Sequence, residues 1–539
     1  MADHVYGIDL GTATSAIAHL DPLGAPQVIE NLEGRPTTPS VVWFSDPATT
    51  VVGEVARSEL RFGTDEVVEL VKRHMGEDRT WSFHGRQYTP ESISAIILRS
   101  LVQQAKPTGD RVPVVITVPA YFGAKEREAT RNAGEIAGLD VLNLVAEPVA
   151  AALFYDSLEP LKDKNLLVYD LGGGTFDVTA VRSAGDTFEI IATEGDSHLG
   201  GADWDKVLMD HLLDSFVEET GDASVEEDVN FRAKLAEQAV SCKEALSSAP
   251  RHTVRLAADS GSRAKIAVTA EEFDELTEPL MARTGQCMER LLTVVREKAP
   301  DFQVDEVILV GGSSRMRAVS RIVREIVGIE PRLVDPDLAV AKGAALSATI
   351  AALEELTESS GGDGDAAVAT LATSTGIDAG RLAGLARKTV LNVLPKAIGF
   401  KVLDTDKGVE FVDFLVDQHT TIPLAEEVTR TYETVSDGQT DIDMDLYQQA
   451  SDVPNGKVEL CEPVSGAEGL VLEGIPPLPA GQPVAVRLSV AGDGLISFSA
   501  THVPSGKELS AQVRIGVLSQ EAIDAARTQM KGLRVMSSD

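Results

Sequence analysis

Apolar residues in the first 350 positions fall into two rhythms. Short, near-continuous apolar runs at 5–10, 114–118, 166–171 and 307–310 stand between stretches of helical period. Such runs between helices predict sheets covered on both faces. One predicted helix covers 124–138 and stops on Gly138, a common helix terminator. Residues 351–388 change character: Ser359-Ser360-Gly361-Gly362-Asp363-Gly364-Asp365 is small, polar and acidic. It predicts a flexible linker over 351–392, with short helices in the Ala-rich stretches beside it. From 393 the period becomes two. Ile442, Met444 and Leu446 alternate with Asp441, Asp443 and Asp445, and Val484, Val486, Leu488 and Val490 alternate in the same way. Gly492-Asp493-Gly494 and Pro504-Ser505-Gly506-Lys507 read as turns. A compact antiparallel β-domain with one buried face is expected over 393–518. The segment 519–539 begins a single helix, 519–530, with Ser519 as its N-cap.

A chain of 539 residues exceeds one hydrophobic core and implies at least two domains. Its 84 acidic and 48 basic residues leave a net charge of −36. Such a chain repels nucleic acid and anionic membrane surfaces. Cys242, Cys287 and Cys461 are far apart and form no metal-ligand pattern. Their odd number argues against a disulfide framework and fits a reducing compartment. The chain has no basic-then-apolar leader and no apolar run long enough to span a bilayer. A cytoplasmic protein is expected.

Two phosphate-binding turns stand out. The first is Asp9-Leu10-Gly11-Thr12; the second is Asp170-Leu171-Gly172-Gly173-Gly174-Thr175, followed by Asp177. Each follows a predicted strand. Glycine lets the backbone approach phosphate oxygens closely and point N–H groups at them. Thr12 and Thr175 offer hydroxyls to phosphate or to an attacking water. Asp9 and Asp170 are placed to face Mg2+ through water, because Mg2+ keeps much of its hydration shell. One such turn is common, but two with the same opening suggest a clamp on one polyphosphate. A third glycine turn, Gly311-Gly312-Ser313-Ser314-Arg315, permits close approach to a flat ring on which Arg315 can stack.

These motifs, with Ile116-Thr117-Val118-Pro119-Ala120-Tyr121-Phe122, Glu147-Pro148, His198-Leu199-Gly200-Gly201 and Asp335-Pro336-Asp337, resemble the DnaK-type heat-shock chaperone family in order and spacing through the first 350 residues. Thr421-Ile422-Pro423 and the stretch 493–508 resemble its peptide-binding β-domain more loosely. The resemblance implies an α/β two-lobed, actin-like (ribonuclease H-like) ATPase followed by an antiparallel β-sandwich. ATP or ADP with Mg2+, and K+ as a further candidate cation, would occupy the central cleft. Lys72 would meet the γ-phosphate, although Lys72 beside Arg73 otherwise reads as a surface pair. Glu147 would sit at the catalytic centre, and Asp170 with Thr175 would orient the water. Gly11, Thr12, Gly172, Gly173, Gly174, Gly200 and Gly201 would hold phosphates. Lys243, Ser247, Gly311, Gly312, Ser313, Arg315 and Asp337 would hold the nucleoside. Pro119 and Arg127 resemble a relay between lobes. Tyr432 and Ile442 are candidates for a peptide pocket, with ordinary sandwich core as the alternative. Implied partners are unfolded polypeptides and a nucleotide exchange factor.

The chain also departs from the family. Val240 replaces a ribose-binding glutamate, Glu244 a basic residue, and Asn143 an arginine used to dock J-domain partners, which puts that partner in doubt. Of the apolar connector, Val390 and Leu391 remain, so weak coupling between ATP and peptide is expected. A helical lid is almost absent after the β-domain. Besides a lidless ATP-hydrolysing chaperone, two readings stay open: a slow ATP-dependent switch for one partner, and a metabolic kinase of the actin-like class.

Overall fold

The computed structural model describes residues 4–537, except 61–63, 109–110, 406, 451–454, 465–466, 468, 493, 514–517 and 519. The expected turn residue Asp493 and the expected cap Ser519 therefore lie outside the described residues.

The first 350 residues form two lobes built on one repeated pattern. In lobe I, Tyr6–Asp9 pairs antiparallel with Thr14–Leu20 and parallel with Pro113–Val118. In lobe II, Asn165–Leu171 pairs antiparallel with Phe176–Ala184 and parallel with Glu306–Val310. Each hairpin thus turns at one of the two glycine motifs; the first strand ends on Asp9 and its counterpart on Asp170-Leu171. The central strands are buried along almost their whole length, as runs covered on both faces must be. Helices Glu147–Leu158 and Ala339–Ser359 pack together at the base in a core shared by the lobes. Contact there is backbone to backbone. A Cβ on Gly343 would lie 1.7 Å from the Ala150 carbonyl oxygen, and one on Gly7 2.0 Å from the Ala345 nitrogen.

The segment 351–392 is not a flexible linker. The helix Ala339–Ser359 runs on through its first part, and Gly364–Thr375 and Ala379–Leu385 are helices, capped by Asp363 and Asp378. Leu371, Ile377, Leu382 and Leu385 enter the shared core. The small polar cluster is a turn, with Gly361 and Gly362 at positive φ, followed by a helix cap. The chain then becomes a strand, Thr389–Val393. It pairs parallel with Thr187–Asp196 and antiparallel with Thr421–Ile422 of the β-domain. One seven-stranded ladder therefore runs from Arg332–Leu333 through the phosphate turn of lobe II into the β-domain.

The β-domain holds two four-stranded antiparallel sheets around Phe400, Leu446, Val486, Leu488 and Phe498. The Asp-alternating stretch changes sheet partway: Ile442–Asp443 pairs with Val471–Leu472, whereas Leu446–Gln449 pairs with Ile398–Asp404. The tail departs from a simple helix. Helix Gln520–Lys531 is followed by a strand, Arg534–Ser537, which adds parallel to Thr49–Val52 of lobe I. Ile523, Met530, Leu533 and Val535 join the lobe I core. The tail helix therefore packs on lobe I. Among the described residues, no helix is long and apolar enough to cross a membrane.

Candidate functional site

A cleft of about 800 Å³ opens between the lobes. Asp9, Gly11 and Thr12 line it from one side; Asp170, Gly172, Gly173 and Thr175 line it from the other. The two turns interlock. A Cβ on Gly173 would lie 2.4 Å from Ala13 Cβ, and one on Gly174 2.3 Å from Thr12 Cγ2. Gly200 is pressed against the Gly174 backbone, and Gly201 against Ser313 Oγ. Gly311 has φ 81°, and a Cβ there would lie 2.5 Å from Asp170 Oδ1. Only glycine fits these approaches, and together they seat the three turns around one space.

Lys72 is 4% exposed and ion-paired to Glu147, itself 6% exposed at the N-terminus of helix Glu147–Leu158. The reading of Lys72 as a surface residue is thereby excluded. The Thr117 hydroxyl donates to Asp9 Oδ1 at 3.1 Å. Burial and then Glu147 push Asp9 up to about 7, against the pull of Lys72 and Thr117. Burial, then Glu147, push Asp170 and Asp177 well above the usual carboxylate range. Carboxylates gathered around one lysine favour an added cation. No group of three protein ligands close enough to cage a metal occurs among the described residues. The buried Thr12 hydroxyl and Asp177 Oδ1 have no protein partner among them. That donor set fits Mg2+, which is held through few carboxylates, waters and substrate phosphates.

The end of the cleft expected to take the nucleoside is lined by Lys243, Ser247, Gly312, Ser313, Arg315 and Asp337. Lys243 Nζ donates to Asp205 Oδ2 at 2.8 Å and to the Gly201 carbonyl at 3.1 Å. Arg315 is held by Asp337 at the mouth. Val240 and Glu244 also line the cleft, and Val240 is 38% exposed. An apolar side chain and a carboxylate thus face this part of the cleft, where the family resemblance implies an acid and a cation. Calorimetric titration should show weak binding with little preference for ATP over GTP. Val240→Glu should tighten ATP by about tenfold, since hydrogen bonds involving a charged group contribute roughly 1.5–3 kcal/mol. Tight, strongly ATP-selective binding by the unaltered chain would contradict this.

Arg73 was missed in the sequence. Its Nε donates to the Gly174 carbonyl at 2.8 Å and its Nη2 to Asp203 at 2.6 Å. It ties lobe I to the second phosphate turn, and only its place beside Lys72 hinted at that. Arg127 donates to the Phe122 carbonyl at 3.0 Å and the Ala120 carbonyl at 3.5 Å, and the Pro119 carbonyl accepts from the Phe122 N–H. Arg127 therefore fixes the loop whose Phe122 ring lies 5.9 Å from Lys72 Nζ. Burial lowers Arg127 to about 10, so it remains a cation. Cys242, Cys287 and Cys461 are free thiols; burial pushes the Cys242 thiol up to about 11, which suits a packing residue.

Tyr432 and Ile442 are half-buried against the β-domain core and belong to different sheets. The Tyr432 hydroxyl donates to Asp413 at 2.9 Å. Asp413 shares one face of the outer strand Val409–Val416 with exposed Val409 and Phe411, whereas exposed Leu403 on the neighbouring strand pairs with Glu410 and stands on the other face. That apolar face was not anticipated, since its residues lie among acids in the sequence.

A two-lobed α/β cleft with twin phosphate turns, joined to an antiparallel β-sandwich, defines the actin-like ATPase class with an attached binding domain. The chain belongs to the Hsp70 family: the model described as "Hsp70 protein" matches residues 5–359 and 357–534. It is 35% identical to the chaperone protein DnaK of Thermosipho melanesiensis over 94% of this chain and 79% of that one. It is 36% identical to that of Thermotoga maritima (94% and 80%) and 37% identical to that of Halobacterium salinarum (97% and 77%). Members of this family are heat-shock chaperones that bind ATP and are ATPases.

Proposed function

We propose that residues 1–350 hydrolyse ATP and that the β-domain, 393–518, holds exposed apolar peptide segments, with the helical connector 351–392 joining them. The observation that carries this is the interlocked pair of phosphate turns around Lys72, Glu147, Asp9 and Asp170. Backbone N–H groups of the turns hold the phosphates. Mg2+, when bound near Asp9 and Asp170, supplies charge neutralisation at the phosphates. Glu147 fixes the Lys72 ammonium, which stabilises charge on the γ-phosphate. The Thr175 hydroxyl orients the attacking water. The Asp170 carboxylate, at the same turn, helps to orient that water.

Unfolded polypeptides are the partners, held along the apolar face of Val409 and Phe411 beside Tyr432. The tail helix packs on lobe I, so in this arrangement it does not cover the β-domain. Phe411→Asp should weaken binding of a fluorescent apolar peptide by about tenfold, because burying such a ring contributes roughly 1.5–3 kcal/mol. Phe411 is 36% exposed, so the fold should survive the change. Unchanged peptide affinity would exclude this face. The free thiols suit the cytoplasm. A nucleotide exchange factor is a further expected partner, K+ a further expected ion, and Asn143 argues against a J-domain partner. Val240 and Glu244 favour a second reading, a slow switch for one partner; a pulldown dominated by one protein would support it over a general chaperone. A metabolic kinase leaves the docked β-domain without a role.

A further inference from the structure

A second cavity, of about 620 Å³, lies behind the phosphate end of the cleft. Lys72 and Thr175 line both spaces. The second cavity continues away from the nucleoside end, between the lobes, and Lys396, Gln418, Gln449 and Glu462 of the β-domain close its far side.

Its walls have a consistent chemistry. Arg283 pairs with Asp196, Arg290 with Glu194, and Lys125 and Lys396 both pair with Glu462. Arg283 and Arg290 each have a carboxylate partner, while Lys125 and Lys396 share one, so an anion passing through meets a modest favourable charge without being trapped. The Tyr121 hydroxyl lines the same cavity, is buried, and has no partner among the described residues. Burial and the surrounding carboxylates push it well above its ordinary value, so it remains an O–H donor. Glu126 stands beside it and further limits retention. The volume is many times the ~30 Å³ share of one water molecule.

Hydrolysis leaves ADP in the first cleft, with inorganic phosphate beyond it at Lys72 and Thr175. ADP, gripped by both turns, then blocks the way out past the nucleoside pocket. We propose that the second cavity is the exit route for inorganic phosphate, with the Tyr121 hydroxyl and the paired cations as its transient partners. The proposal rests on the ATPase reading above. It adds that phosphate leaves before ADP, along a wall supplied by the β-domain.

The test is a single turnover of the full chain with Mg2+ and ATP. Hydrolysis is followed by quenched flow, phosphate release by a fluorescent phosphate-binding sensor, and ADP release by a fluorescent ADP analogue. Gln286→Trp and Ser197→Trp narrow the cavity from two walls; Gln286→Ala and Ser197→Ala are the controls. Gln286 is exposed on helix Glu278–Lys298 and Ser197 lies between strand and helix, so neither belongs to the phosphate turns. Both tryptophan variants should hydrolyse ATP at the normal rate, release ADP normally and release phosphate about tenfold more slowly or worse. The alanine variants should match the unaltered chain. Phosphate release that keeps pace with hydrolysis in a folded tryptophan variant would overturn the exit route. Absence of hydrolysis in the unaltered chain would instead overturn the ATPase reading.

Discussion

Thr175→Ala is expected to lower ATP turnover by a factor on the order of a hundred or more, the usual consequence of losing one preorganised polar group at the reacting centre. Nucleotide binding should largely survive, because the grip on the phosphates comes from backbone N–H groups of two interlocked turns. The fold should survive as well, since the Thr175 hydroxyl makes no structural hydrogen bond among those described. Lys72→Ala should impair turnover at least as much, but it leaves Glu147 buried without its cation. Breaking a buried pair in this way typically costs ~3–5 kcal/mol, so stability should fall with activity in that variant. Single-turnover hydrolysis and calorimetric nucleotide titration separate the two effects. Near-normal turnover in Thr175→Ala would remove the active centre from this cleft.

The second large effect is expected at the connector. Leu391→Pro places a residue without an N–H and with fixed φ in a strand that pairs with Thr187–Asp196 through 389–391 and with Thr421–Ile422 through 392–393. The strand Thr389–Val393 is the one connection in the seven-stranded ladder between lobe II and Thr421–Ile422. The same ladder contains Asn165–Leu171, which ends at the phosphate turn. The expectation of weak coupling assumed a flexible insert and a depleted apolar connector. Instead the insert is packed helix, and the connector docks mainly by backbone pairing, with Asn392 and Val393 buried. Peptide dissociation from the unaltered chain should therefore differ between ATP and ADP by about tenfold, within the ~1–3 kcal/mol usual for coupled sites. In Leu391→Pro the two rates should converge. Equal rates in the unaltered chain would show that this ladder transmits nothing.

Much of the candidate cleft was legible because its constraint is local. At Gly11 a Cβ would meet the Thr14 carbonyl oxygen, and at Gly173 and Gly174 it would meet Ala13 Cβ and Thr12 Cγ2, so the close approach of the two turns is written in their glycines. Alternating strands such as Pro483–Val490 were legible for the same reason: period two follows directly from one buried face. The illegible parts depend on distant partners. Arg73 acts through Gly174 and Asp203, far along the chain. The four residues Arg534–Ser537 become a strand only because Thr49–Val52 offers an edge. The Ser-Gly-Asp cluster at 359–365 has the same composition whether it is a tether or a turn with a helix cap. Leu371, Leu382 and Leu385, at helical spacing behind it, carried the better signal.

The central claim joins an ATPase cleft to a peptide-holding β-domain through one sheet. Steady-state ATP turnover of the full chain, with Mg2+ and with increasing amounts of an unfolded apolar peptide, tests it most directly. The account predicts measurable hydrolysis to ADP and phosphate that changes saturably with peptide, and a response lost in Leu391→Pro. Absence of hydrolysis, or hydrolysis indifferent to peptide at concentrations where the peptide is bound, would contradict it.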